Sequence, residues 1–322
     1  MSKEFPRKEF YVYTSKAPLG EGTVIALNDR EFSIGDVLRE YSEKRWESDN
    51  KGWTSSVMPT VMDVEHDGYS MKLHCSLTEY KYLLGMVKFA DEKEKSGLTE
   101  TIHGLSTEIM PMLADGTFPL ERRARSTTQH GVGFYDIPSA GQNAQMWLNK
   151  VPKEYSGLVN DLFDMNGFPR WNLIRNMGFK PEEIGEIFYT GFSRGFEVSL
   201  DSQFNGYVRI KAESEEIKRR AGNEDKLFYK FDDFLDILSS VNNDGKSKKI
   251  KEDIYGKVPE PREDGFKIID DCFGTLLSNI FHIQIFHILG EKYYQQGLEI
   301  LIHKGYKINE INDVRTNLLE LN

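Results

Sequence analysis

Residues 10–13 and 23–27 are two alternating or apolar runs, separated by Pro18 and glycines, which predicts two strands. The spacing changes at Ser33. Behind this N-cap, Ile34, Val37, Leu38 and Tyr41 fall at helical intervals, so a helix is expected to close near Trp46. Residues 57–64 and 69–77 flank Asp67-Gly68, a hairpin signal, and Thr78 then caps a helix carrying Tyr80, Leu83, Leu84 and Val87. A charged segment, 91–96, closes this first block.

A strand is predicted over 105–113, returning through Phe118, Leu120 and Arg122 after the Asp115-Gly116 turn. Short helical stretches follow at 144–150, 154–165 and 168–177, broken by Pro152 and Gly167. Residues 183–189 and 204–210 are strand-like, with a glycine-bearing loop expected over 191–206. From Ser214 the pattern turns helical. Phe231, Phe234, Leu235 and Leu238 share a face, and 268–302 supports one or two amphipathic helices beyond a lysine-rich loop over 242–262. The order is α+β and not a repeating βαβ series.

Composition narrows the function classes. The chain has 322 residues, 39% hydrophobic and 29% charged, which suits a soluble globular protein of one large domain with additions or of two domains. A net charge of -10 argues against non-specific nucleic-acid binding, which needs an excess of Lys and Arg. Cys75 and Cys272 lie far apart, so neither a disulfide framework nor a cysteine-rich zinc site is expected, and a reducing, cytoplasmic setting is. The first ten residues lack the apolar core of a signal peptide. The most apolar run, 276–289, is too short and too polar to span a bilayer.

Several motifs fail on inspection. Gly245-Lys246-Ser247 has Ser240 where a phosphate-binding loop needs glycine. Gly20-Glu21-Gly22 and Gly131-Val132-Gly133 lack the third glycine of a dinucleotide fingerprint and read as turns. His282 and His287 do not fall on one helix face at zincin spacing, and Ser139, near Gly141, lacks the flanking Gly-x-Ser-x-Gly arrangement of a nucleophile elbow.

One constellation is informative. Asp115-Gly116-Thr117-Phe118-Pro119-Leu120-Glu121-Arg122-Arg123 is followed by Phe134-Tyr135-Asp136-Ile137-Pro138-Ser139-Ala140-Gly141. Gly178-Phe179, Pro181 to Ile184 and a strand to Tyr189 come later. Over about residues 104–210 this resembles the Nudix family, in which an Asp-Gly turn, a strand ending in Arg, a Pro- and Gly-bearing loop and a helix closing on Gly follow in order. The resemblance implies an α+β fold. A Nudix-like mixed sheet with flanking helices is expected over 101–212, an N-terminal α/β extension over 1–100, and a helical C-terminal region over 213–322.

The family's acidic box is not kept. Anchored on Gly178-Phe179, its acidic positions fall on Asn172, Arg175, Asn176 and, upstream, Phe163, while Trp171 takes the Arg position and Leu173 keeps the apolar one. Mg²⁺ needs oxygen ligands to sit by a diphosphate and activate water. Like unit charges about 4 Å apart repel by about 4 kcal/mol at an effective dielectric of about 20, so Arg175 opposes a divalent ion by about twice that. The resemblance therefore implies a Nudix-fold protein that binds a nucleotide or other phosphorylated small molecule without metal-dependent hydrolysis. No catalytic residue is assigned, no metal site is expected, and Mg²⁺ enters only if the protein is hydrolytic.

Two alternatives stand beside this reading. One is a divergent hydrolase using relocated carboxylates, with Asp161 and Asp164 three apart on a predicted helix and Glu182, Glu183 and Glu186 beyond the glycine. The other is an interaction module whose C-terminal helices, through Phe281 and Ile285, dock a partner or a second copy.

The candidate ligand-binding residues are Arg122, Arg123 and Arg125 on the basic strand, with Gln129, Tyr135, Asp136, Ser139 and Gly141 after it. Guanidinium groups suit phosphate because their N–H fork makes paired charge-assisted bonds. Strand alternation sends Arg123 and Arg125 to one face and Arg122 to the other, and Phe134 or Tyr135 offers an aromatic face for a base.

Overall fold

A computed structural model of the protein describes residues 9–49, 55–86, 102–122, 135–139, 141–195, 202–221, 226–230 and 307–318. It is α+β. Among these residues the strands form three sheets. The largest has six strands, from edge to edge β12 (Lys307–Glu310), β1 (Glu9–Leu19), β9 (Ile184–Gly195), β10 (Ser202–Ile210), β5 (Leu105–Met112) and β8 (Gly141–Gln142). It is mixed, because β10 runs parallel to β5 and antiparallel to β9. A second sheet orders β13 (Arg315–Asn317), β3 (Val57–His66), β4 (Met71–Glu79) and β2 (Val24–Asn28). The third joins β11 (Lys226–Lys230), β6 (Thr117–Arg122) and β7 (Tyr135–Asp136).

Helices α1 (Asp36–Asp49), α2 (80–86), α3 (Gln145–Leu148), α4 (Gly167–Met177) and α5 (Ser214–Ala221) lie between the strands. The large sheet and the four-stranded sheet share one core. Tyr13, Ile187, Tyr189, Phe192, Phe204 and Val208 of the first meet Val61, Val64, Met71 and Leu73 of the second. Phe168, Leu173, Ile174 and Met177 of α4 join the same cluster. Most of α4 is buried, on several sides of the helix, and removing its apolar side chains from water is the main favourable term holding it there.

The Asp67-Gly68 and Asp115-Gly116 turns form as the sequence predicts. Gly68 and Gly116 sit at φ 90° and 75°, in the left-handed region that Gly enters without a Cβ penalty. Asp67 Oδ1 accepts the Tyr69 and Ser70 amides at 2.8 and 2.7 Å. Three expectations need correction. β1 continues through Pro18, with an irregular register against β9 between Thr14 and Leu19. The loop expected over 191–206 is largely strand, since β9 reaches Gly195 and β10 begins at Ser202. Its glycines mark close backbone approach instead: a Cβ on Gly191 would lie 1.9 Å from the Tyr13 carbonyl, and one on Gly206 2.3 Å from that of Phe188. Residues 154–165 hold only a short 3-10 turn, Lys153–Tyr155, followed by turns.

The helices expected after Ser214 are met by α5 and then by the strand β11. Residues 231–306, which carry Phe231 to Leu238, Phe281 and Ile285, lie outside the described residues. The described end of the chain is strand: β12 pairs with β1, and β13 with β3.

Candidate functional site

Asp115 begins the turn into the basic strand, and all its hydrogen bonds hold structure. Oδ1 accepts the Thr117 amide and hydroxyl at 3.1 and 2.7 Å, while Oδ2 accepts the Ser214 amide and hydroxyl at 3.1 and 2.5 Å. The turn is thereby tied to the start of α5. Burial pushes the carboxyl up, but the Ser214 and Thr117 bonds outweigh that and hold it at about 2.

The strand then brings candidate positions together. β6 and β7 pair antiparallel with Glu121 opposite Asp136 and Arg122 opposite Tyr135. Arg123, Arg125 and Gln129 lie outside the described residues. Beyond β7 the chain folds onto α4. Ser139 is fully buried, and its Oγ donates to the Ile109 carbonyl at 2.5 Å while accepting the Ile109 amide at 2.7 Å. That hydroxyl mimics a ladder partner for β5. Gly141 pairs with Thr107 of β5, and a Cβ there would lie 3.4 Å from Asn172 Nδ2.

The polar side chains of α4 close this segment. Asn172 Nδ2 donates to the Ser139 carbonyl at 3.3 Å, and Asn176 Nδ2 donates to the Pro138 carbonyl at 2.5 Å. These are two positions where the resemblance expects acids. A carboxylate there would set oxygen against carbonyl oxygen, so closing the segment and holding a metal are competing uses of the same turn of helix.

The third such position, Arg175, points the other way. Its Nε donates to Asn176 Oδ1 at 2.9 Å, and its guanidinium carbon lies 4.1 Å from the centre of the Trp147 ring. Lys150 Nζ lies 4.5 Å from the same ring centre. Arg175 keeps solvent access yet is crowded, so desolvation draws its pKa down while the Glu121 carboxylate draws it up. The guanidinium stays charged. One turn earlier on α4, Trp171 packs beside Tyr155, with ring centres 5.9 Å apart. Trp147 itself packs against two apolar clusters, one around β5 and α4 and one around α1, Met58 and Leu83. The result is a fixed aromatic platform holding two cations beside the Gly141 segment. Trp147 and Lys150 are not among the residues that sequence pattern singles out, because nothing local links them to Arg175.

Of the acids available for relocation, Asp161, Asp164, Glu183 and Glu186 make bonds elsewhere, while Glu182 is exposed. Asp161 and Asp164 lie outside any helix; Asp161 Oδ1 accepts the Phe163 amide at 2.7 Å, and Asp164 Oδ1 accepts those of Asn166 and Gly167, where α4 begins, at 3.1 and 2.7 Å. Glu183 accepts the Lys180 amide at 3.0 Å and pairs with Arg220 at 2.7 Å. Glu186 accepts the Glu21 amide at 3.3 Å. Among the described residues, no three His, Cys, Asp or Glu side chains group as metal ligands. No helix among them is long and apolar enough to cross a membrane.

No protein-family model matches the chain, and no curated protein matches it.

Proposed function

We propose that this chain is a Nudix-like protein that binds a nucleotide or another phosphorylated small molecule and does not hydrolyse it. The observation that carries the reading is the use made of α4. Where the resemblance expects metal-binding acids, Asn172 and Asn176 bond the Ser139 and Pro138 carbonyls, and Arg175 supplies a positive charge. An anion is the natural complement of Arg175 and Lys150, both held near the centre of one indole ring. Arg123, Arg125 and Gln129, outside the described residues, remain candidate ligand contacts on the sequence pattern alone. The setting is a reducing cytoplasm, in which Cys75 remains a buried thiol.

Binding to the native state raises the unfolding midpoint by linkage. Thermal unfolding of the full chain would be followed with ADP, UDP-glucose, pyrophosphate and a wider set of nucleotides and nucleotide sugars, each with Mg²⁺ and with EDTA. At least one phosphorylated compound is expected to raise the midpoint equally in both. No shift across the set would sink the proposal, and phosphate release on adding Mg²⁺ would replace it with the hydrolase reading.

A further inference from the structure

His66 ends β3 where the last described segment of the chain crosses from the large sheet to the four-stranded one. β12 lies along β1, β13 lies along β3, and the connection between them is pinned twice. The Ile311 amide donates to the Val12 carbonyl and the His66 amide to the Val314 carbonyl, both at 2.8 Å. The His66 ring stacks on Tyr13 of β1, with ring centres 3.6 Å apart and planes at 30°. It also hydrogen-bonds the backbone of Asp313. Nε2 is buried with no hydrogen-bond partner among the described residues, and so is the Tyr13 hydroxyl. One imidazole therefore touches β1, its own hairpin and the β12–β13 connection.

The neutral ring fits this place at the cost of one unmet acceptor. A protonated ring would carry an N–H donor with nothing to receive it, in a site only 9% exposed. The charged groups around it are Asp67 of its own turn and Asp313 of the connection; Lys16 of β1 lies against Gly68. Asp67 acts only through space, since its carboxylate holds the Tyr69 and Ser70 amides. Burial outweighs the Asp313 backbone bond and both carboxylates and lowers the His66 pKa from its ordinary value. The Tyr13 hydroxyl, pushed up to about 12 by burial and then by Asp67, stays protonated throughout.

We propose that His66 is a proton-operated clasp on the C-terminal strands: neutral, it holds 307–317 against β1 and β3, and protonated, it loosens them and bares both strand edges. The direction follows from linkage. The contribution is complete above the unfolded-state value of about 6.5 and is lost as pH falls from there through the lower folded value. A second anchor does not depend on His66. Arg315 pairs with Asp63 at 3.0 Å and with Glu65 at 3.2 Å, and Glu65 also faces His74 Nε2 at 3.3 Å while Asp29 holds His74 Nδ1 at 2.7 Å. His74 is therefore the control.

Native-state hydrogen exchange on the full chain, corrected for intrinsic rates, tests the clasp between pH 7.5 and 5. Protection at Ile311 and along 315–317, relative to Val208 of β10, is expected to fall about threefold or more over that range. The fall should vanish in His66→Phe, which keeps a stacking ring but takes no proton, and persist in His74→Gln. An unchanged fall in His66→Phe, or none in the wild type, would overturn the proposal. Should His66→Phe not fold, an NMR titration of wild-type His66 decides: a midpoint below 6.5 supports the clasp, and one at or above it refutes it.

Discussion

Asn172 and Asn176 show how one polar atom fixes what a helix can do. Each donates from its amide to a carbonyl, and replacing either by Asp exchanges that donor for an ionised acceptor. Asn176→Asp is expected to cost about 1–3 kcal/mol, because it loses a charge-neutral bond at 2.5 Å and sets a carboxylate against the Pro138 oxygen. Urea unfolding measures this, and an unchanged midpoint would remove the closure argument. Asp115 gives a prediction of opposite sign in chemistry. Its folded pKa of about 2 lies below the unfolded value of about 3.9, so its contribution is present above the latter and lost as pH falls through the former. The group is exposed and screened, so Asp115→Asn is expected to cost about 1 kcal/mol at neutral pH and to flatten the acid limb of stability against pH.

Elements were legible in proportion to how locally they are specified. The Asp67-Gly68 and Asp115-Gly116 hairpins and α4 rest on turn chemistry and on periodicity within a few residues. α4 ends where expected because Gly178 adopts φ 67° and its amide donates to the Ile174 carbonyl at 2.9 Å. Gly178→Ala is therefore expected to destabilise by about 1 kcal/mol, read as a lower unfolding midpoint with little change in the folded spectrum. Gly191 misled in the other direction. It looks like loop in sequence, but it allows β1 to approach β9 more closely than any Cβ permits. β12 and β13 carry almost no local signal, since four and three residues become strand only through partners at the far end of the chain. The candidate site divides the same way. Arg122, Tyr135, Asp136, Ser139 and Gly141 were readable as a segment, but the Arg175–Trp147–Lys150 cluster exists only after folding.

At the scale of the whole molecule, the first and last described segments meet. β1 and β12 share an edge of the large sheet, and the shared core runs from β1 through α4 to β3 and β4. Deleting 307–322 is expected to lower the unfolding midpoint of the rest, because it uncovers the edges of β1 and β3 and leaves Asp63 and Glu65 without Arg315. The functional claim rests on α4, which closes a segment and holds Arg175 over the same ring as Lys150. The direct test is calorimetric titration of the best-binding nucleotide from the thermal screen into the full chain in EDTA, beside Arg175→Gln. The account expects saturable binding without metal and an affinity about tenfold weaker in the variant, equivalent to about 1.4 kcal/mol. Binding that appears only with Mg²⁺, or that is unchanged by Arg175→Gln, would contradict it.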